Sequence, residues 1–281
     1  IFLIFNHFPR KSMLTKKLLS ASLCLASVLA FSSCSKETES VTKSDEITSE
    51  VLSQIKQLGF TAQGAVAVEG GYVVEGDIFL SKADLANPTP VRLMRVGAEE
   101  QYRTTNLVNA GNGRNITISV SSSLPVAYTT ATDEMIRRYN AENLSITMTR
   151  VASGANIAFE KAPRSARYLA SAGFPTSAGD PHNKVLINSN AIGTANPSTY
   201  IATILAHEVG HCIGFRHTDY MDRSYSCGGS TSNEGASTVG AILIPGTPAA
   251  ADPNSFMLAC IGSGVNRPFN ANDVTALNSL Y

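Results

Sequence analysis

The stretch that most restricts what this chain can become is HEVGHCIGFRH, residues 207–217. Residues four apart on an α-helix share a face, so His207 and His211 project the same way, one turn apart. Two ligands to one metal ion need that spacing. Glu208 lies about 100° round the helix from His207. It can reach a water beside the metal without being a ligand itself. The opposite face carries Ile201, Leu205, Val209 and Cys212, an apolar stripe that must pack on a core. Asn196, Pro197 and Ser198 mark the helix start, and Gly214 marks its end. Glycine takes a positive φ at that position without steric cost. The chain can then turn back and bring His217 to the same metal.

This residue set points to catalysis rather than to a structural ion. Three neutral imidazoles leave a zinc ion its full charge and one open position, where a water is acidified to a pKa of about 7. Glu208 can take that water's proton as it attacks a carbonyl, then pass it to the leaving amine. A structural zinc site fills all four positions, usually with cysteine, and has no use for Glu208. HExxH alone is a modest match. Gly214 and His217 at fixed offsets make it specific.

The rest of the chain sets the context. Its 281 residues suit one sizeable domain with a smaller segment. The net charge is zero, so no basic excess points to nucleic acid. Lys16 and Lys17 precede an uncharged apolar run over 18–31, signal-peptide length and short for a membrane span. Met13 reads as the natural start, with 1–12 as upstream sequence. The run closes on FSSC, which resembles a bacterial lipoprotein signal with Cys34 as the lipidated residue, although Phe31 stands where Leu is usual. An ordinary secretory signal is the alternative. Either places the mature chain outside the cytoplasm: in the bacterial envelope, at the outer membrane or cell surface, held by lipid on Cys34, or released. Cys24 leaves with the signal, so Cys212, Cys227 and Cys260 allow one bridge. Cys212–Cys227 is favoured, closing a short loop, over Cys212–Cys260.

Residues 35–50 read as a polar tether and 47–58 as a short amphipathic helix. Residues 71–80 read as one strand, and the stretches near 88 and 100 as linker. From about 104 the pattern changes. Strands are expected over 116–120, 144–151, 155–162, 166–173 and 183–189, and a helix over 131–142. The zinc-binding helix follows, then a loop-rich stretch over 219–268. A closing helix has Asn270 and Asp273 spaced as a capping box, with Val274, Leu277 and Leu280 as its apolar stripe. The fold class is α+β, divided as 1–34 (upstream residues and signal), 35–103 (tether and pro-like segment) and 104–281 (catalytic domain).

The extended motif H-E-x-x-H-x-x-G-x-x-H resembles the metzincin metallopeptidases, and Met257 stands where their Met-turn would pass beneath the metal. HEVGHCIGFRHTD, with SYSCGG and MLACIGSG, is similar to the bacterial dual-action HEIGH metallopeptidases over about residues 70–281. The resemblance implies a short twisted mixed sheet, a backing helix, the zinc helix and an irregular C-terminal lobe ending in a helix. It implies a zinc endopeptidase whose protein or peptide substrate pairs with an edge strand at 166–173. Where some metzincins carry a Tyr two residues after the Met, this chain has Ala259. Tyr220 and Tyr225 read as structural or exposed, Asp219 as a brace, and His182 as a loop residue. The run Val74-Glu75-Gly76-Asp77-Ile78 resembles the astacin pro-segment motif F-x-G-D, with Val74 for the Phe. That likeness implies that Asp77 blocks the metal's open site until the segment is cut, at Arg92, Arg95 or Arg103. The plain alternative is a Gly-Asp turn in a hairpin. Two rival functions stand beside the peptidase: a non-catalytic surface binding lipoprotein that keeps the fold, against which Glu208 argues, and a zinc hydrolase of a non-peptide amide. No calcium loop is recognisable, which leaves calcium open.

Overall fold

The structure, a computed structural model, describes residues 47–86, 101–248 and 251–281. Cys34, the tether, Arg92 and Arg95 lie outside the described residues.

The chain opens with α1 (Ser49–Gln57), capped by the Thr48 hydroxyl, and a three-stranded meander of β1 (Val66–Val68), β2 (Gly71–Val74) and β3 (Ile78–Ser81). A short α2 (Lys82–Ala86) follows. Residues 71–80 are therefore a hairpin rather than the single strand expected. Its turn uses positive φ at Glu75 (52°) and Gly76 (93°), which aims Asp77 away from the ladder. β4 (Tyr102–Arg103) pairs antiparallel with β10 (Ile242–Leu243), so the stretch expected to be linker there is a small sheet.

The chain then supplies β5 (Arg114–Val120), α3 (Val126–Asn140), β6 (Ile146–Arg150), β7 (Ile157–Lys161), β8 (Ala170–Ala172) and β9 (Lys184–Ile187). After these come α4 (Ser189–Ile192), α5 (Ser198–Ile213), α6 (Ser224–Cys227) and α7 (Ala271–Leu280). The helix expected over 131–142 begins earlier, at Val126, because Pro125 provides a start that its apolar periodicity does not show. One eight-stranded mixed sheet runs β1-β2-β3-β8-β9-β7-β5-β6. β5, β6, β7 and β9 pair in parallel, and β8 runs antiparallel to β9.

Alternation explains the layering. Ile116, Ile118, Ile146, Met148, Ile157, Phe159, Val185 and Ile187 are buried on one face, against α3 and α5. α3 answers with Tyr128, Ala131, Met135 and Tyr139, and the Tyr139 hydroxyl donates to the Ala206 carbonyl of α5 at 2.8 Å. α5 is buried from Tyr200 to Ile213 because the sheet covers one side and the C-terminal lobe the other. It ends at Gly214, whose φ of 114° only glycine takes readily. α7 begins with the expected capping box. Among the described residues, no helix is long and apolar enough to cross a membrane.

Candidate metal centre

α5 delivers His207, Glu208 and His211, and the Gly214 turn returns His217 to them. Each histidine is oriented through its Nδ1. His207 Nδ1 lies 2.9 Å from the Phe256 carbonyl and His211 Nδ1 2.9 Å from the Phe215 carbonyl. A carbonyl only accepts, so both Nδ1 atoms carry hydrogen and both Nε2 atoms present lone pairs. His217 Nδ1 is 2.7 Å from Glu234 Oε1. The three Nε2 atoms converge, with His211 Nε2 3.1 Å from that of His207 and 3.2 Å from that of His217. Apposed lone pairs at that distance repel unless a cation lies between them.

A fourth atom completes the set. Asp77 Oδ2 lies 3.1 Å from His217 Nε2 and 3.5 Å from His207 Nε2. All four residues are buried and their ligand atoms lie within 4.8 Å of one another. Ligand bonds of about 2 Å in a tetrahedron set the ligand atoms ~3.3 Å apart, so the cluster fits a tetrahedral ion. The structure thus brings Asp77 of the β2–β3 hairpin together with the histidines of α5 and of the turn after it.

Electrostatics follow from burial. Glu208 is 3% exposed and its Oε2 has no partner. Burial, then the Asp77 charge, pushes its carboxyl well above the usual range. Burial also works against the charged form of Asp77, but His217 and His207 outweigh it and hold that carboxyl low. Burial pulls His217 down, and the Asp77 and Glu234 carboxylates pull it up by more. A dication on the Nε2 atoms would take over the role of the shared protons.

Met257 lies beneath the site. It is fully buried and its carbonyl accepts from Thr218 N at 2.9 Å, while its neighbour Phe256 orients His207. Asp219 braces this turn as expected, accepting from Ala259 N at 2.9 Å and from the Ser226 hydroxyl at 2.5 Å. Tyr220 packs edge-on against Tyr102, and the Tyr225 hydroxyl donates to the Ala251 carbonyl. His182 is in a loop, as expected, and half-buried, and desolvation lowers its pKa to about 4.

The expected disulfide is corrected. The bridge is Cys227–Cys260, and Cys212 is a buried free thiol. Cys212 sits on the core face of α5, where the same periodicity that buries it turns it away from Cys227.

Several residues of the site were not anticipated. Glu234 is one. Arg216 is another: it is 1% exposed and pairs with Glu234 Oε2 at 3.4 Å and Glu75 Oε2 at 3.6 Å. Arg223 donates to the Glu75 carbonyl and reaches Glu234 Oε1 at 3.3 Å, so it grips the hairpin turn. Burial, reinforced by the Glu234 charge, raises Glu75 to about 8 despite Arg216. Tyr168 is a further one: its buried hydroxyl has no partner, and it lines a cavity of about 250 Å³ together with His207 and Glu208. Only adjacency to the motifs (Arg216 beside His217, Glu75 beside Asp77) could have flagged any of them. The edge strand expected at 166–173 is short and is covered by β3, which pairs with it at Ile78–Ala172.

A helix carrying two imidazoles one turn apart, a third after a glycine turn, a buried carboxylate between them and a methionine turn beneath define a metallopeptidase centre in a metzincin-like domain. The family profile described as dual-action HEIGH metallo-peptidase matches residues 72–281, and the chain belongs to that family. No curated protein matches it. A crystal structure of myroilysin is 16% identical and covers 61% of this chain and 84% of its own, with a TM-score of 0.39. A second myroilysin structure is 14% identical, covering 61% and 81%, with a TM-score of 0.38. Likenesses this weak carry no argument about fold or activity.

Proposed function

We propose that the chain is a zinc-dependent endopeptidase made in a latent form. The observation that carries this is the convergence of three Nε2 lone pairs with one carboxylate oxygen, all within 4.8 Å of one another. His207, His211 and His217 would hold the ion, and the imidazole donor set suits zinc. Zinc, when bound, supplies Lewis acidity that activates water. Glu208, buried and without a partner on Oε2, takes the proton of the attacking water and delivers it to the departing amine. Tyr168 directs its unpartnered hydroxyl at the substrate's carbonyl oxygen as charge gathers there. Burial and the Glu208 charge raise this phenol to about 12, which keeps it a donor. Met257 supports the histidines from below.

With a metal held by the three histidines, Asp77 would stand beside them and exclude water and substrate. The same hairpin covers β8, with Ala172 N donating to the Asp77 carbonyl at 3.0 Å, where an extended peptide would pair. Release must spare Gln101, whose amide donates to Asp273 at 2.7 Å, and β4. It therefore falls upstream of Arg103, in the stretch that holds Arg92 and Arg95. The Cys227–Cys260 bridge supports an oxidising, extracytoplasmic setting, consistent with a lipid anchor on Cys34.

The test is peptide-library cleavage by the full chain, its Asp77→Ala form and a Glu208→Gln control, read by mass spectrometry with zinc content measured for each. The Asp77→Ala chain should cleave, while the intact parent and the zinc-loaded Glu208→Gln chain stay silent. An intact parent as active as Asp77→Ala would overturn the latency. Equal cleavage by Glu208→Gln would overturn the mechanism.

A further inference from the structure

The cavity beside Glu208 has an uneven charge. Its walls include Tyr168, Leu169, Ile204, Leu258 and Ile261, which are mostly apolar, yet three arginines also line it: Arg167, Arg223 and Arg267. The lining carboxylates are Asp77 and Glu208. Asp77 belongs to the hairpin that leaves on activation, and Glu208 has its own task. The opened cavity is therefore positive. At about 250 Å³ it can take a whole side chain, since cavities of about 150 Å³ already admit benzene.

The three arginines are not equivalent. Arg167 is exposed, so solvent screens it. Arg223 is already paired with Glu234. Arg267 is half-buried, and its recorded guanidinium contact is Nη1 donating to the Cys260 carbonyl at 3.2 Å. Among the described residues no carboxylate pairs with it at ion-pair distance. Burial lowers its pKa, and Asp219 and Asp273 oppose this only from a distance. Its position is firm, because its backbone N–H donates to the Thr203 hydroxyl of α5 at 3.0 Å and Cys260 is tied by the disulfide. A half-desolvated guanidinium without a counter-ion, facing a cavity next to the general base, lacks one thing: a carboxylate from outside.

We propose that this cavity receives the substrate side chain next to the scissile bond and that Arg267 makes it select aspartate or glutamate. The inference rests on the peptidase reading and names its substrate class. An apolar side chain would fill the walls but leave Arg267 unpaired, and a lysine would be repelled.

The experiment uses the full chain carrying Asp77→Ala, with Arg267→Gln, Arg267→Lys and Arg267→Glu added singly, against peptides that differ only as Glu, Gln, Leu or Lys beside the cut bond. The Arg267 chain should favour Glu over Gln by at least about tenfold in kcat/KM. Arg267→Lys should keep part of that preference, Arg267→Gln should lose it, and Arg267→Glu should turn it toward Lys. A preference for Leu over Glu, or one for Glu unchanged in Arg267→Gln, would overturn the proposal. Binding of the same fluorescent peptides to the Asp77→Ala, Glu208→Gln chain, read by anisotropy, separates the two ideas. Arg267-dependent capture of the Glu peptide without cleavage by any chain sinks the peptidase reading and keeps the pocket. Cleavage without that capture does the reverse.

Discussion

Single residues around the metal have roles that their chemistry makes testable. Glu234 is 1% exposed and holds His217 by Nδ1, so it fixes that ring and its tautomer. Glu234→Gln should weaken zinc binding by roughly 10- to 100-fold, measured by chelator competition. Gly210 shows a different constraint. Glycine inside a helix costs about 1 kcal/mol relative to alanine, so something must require it. A Cβ there would meet Met257 Sδ at 2.5 Å and Phe256 Cε2 at 3.0 Å. Close approach of α5 to the turn beneath it therefore excludes any side chain. Gly210→Ala should destabilise the protein by about 1–3 kcal/mol in urea unfolding, and because Phe256 orients His207, zinc affinity should fall with it.

At the scale of elements, legibility follows the reach of the interactions. α5 was readable because its apolar face, its histidine face and its glycine stop all lie within a few turns. The hairpin at 71–81 was legible only in part. Its Gly76-Asp77 turn stood as the alternative to one strand, and Glu75 takes a positive φ that a non-glycine residue seldom adopts. Asp77 was found through the likeness of its motif, and only folding shows what it meets. The cysteine pairing failed for the same reason: short separation favoured Cys212–Cys227, while the bond spans 33 residues to Cys260. That bond ties α6 to the chain just after the Met-turn, in a lobe with little regular structure to hold it. Replacing both Cys227 and Cys260 by Ala should therefore cost about 3–4 kcal/mol in urea unfolding. Cleavage by the Asp77→Ala chain should fall with it, since Arg267 leans on the Cys260 carbonyl.

At the scale of the whole molecule, the hairpin that carries Asp77 is part of the fold. β3 extends the main sheet through β8, and Phe79 from β3 packs on His182 with ring centroids 6.0 Å apart. His182 is thus half-buried beside β3. Burial lowers its pKa to about 4, Lys184 also lowers it, and Asp84 of α2 opposes them. An unfolded histidine titrates near 6.5. Between about pH 6.5 and 4 the unfolded chain binds a proton that the folded chain refuses, so stability from this group is complete above that window and lost as pH falls through it. Asp273 acts in the opposite sense. Burial raises it to about 6, so the folded chain takes up its proton first and gains on the unfolded one as pH falls. The two windows overlap, and a bare pH profile of the parent would hide both. The difference between parent and His182→Gln isolates the histidine. In urea unfolding, the variant should gain on the parent by roughly 3 kcal/mol between pH 7 and pH 4. A constant difference across that range would mean that His182 is hydrated in the folded protein and that the hairpin does not seal it.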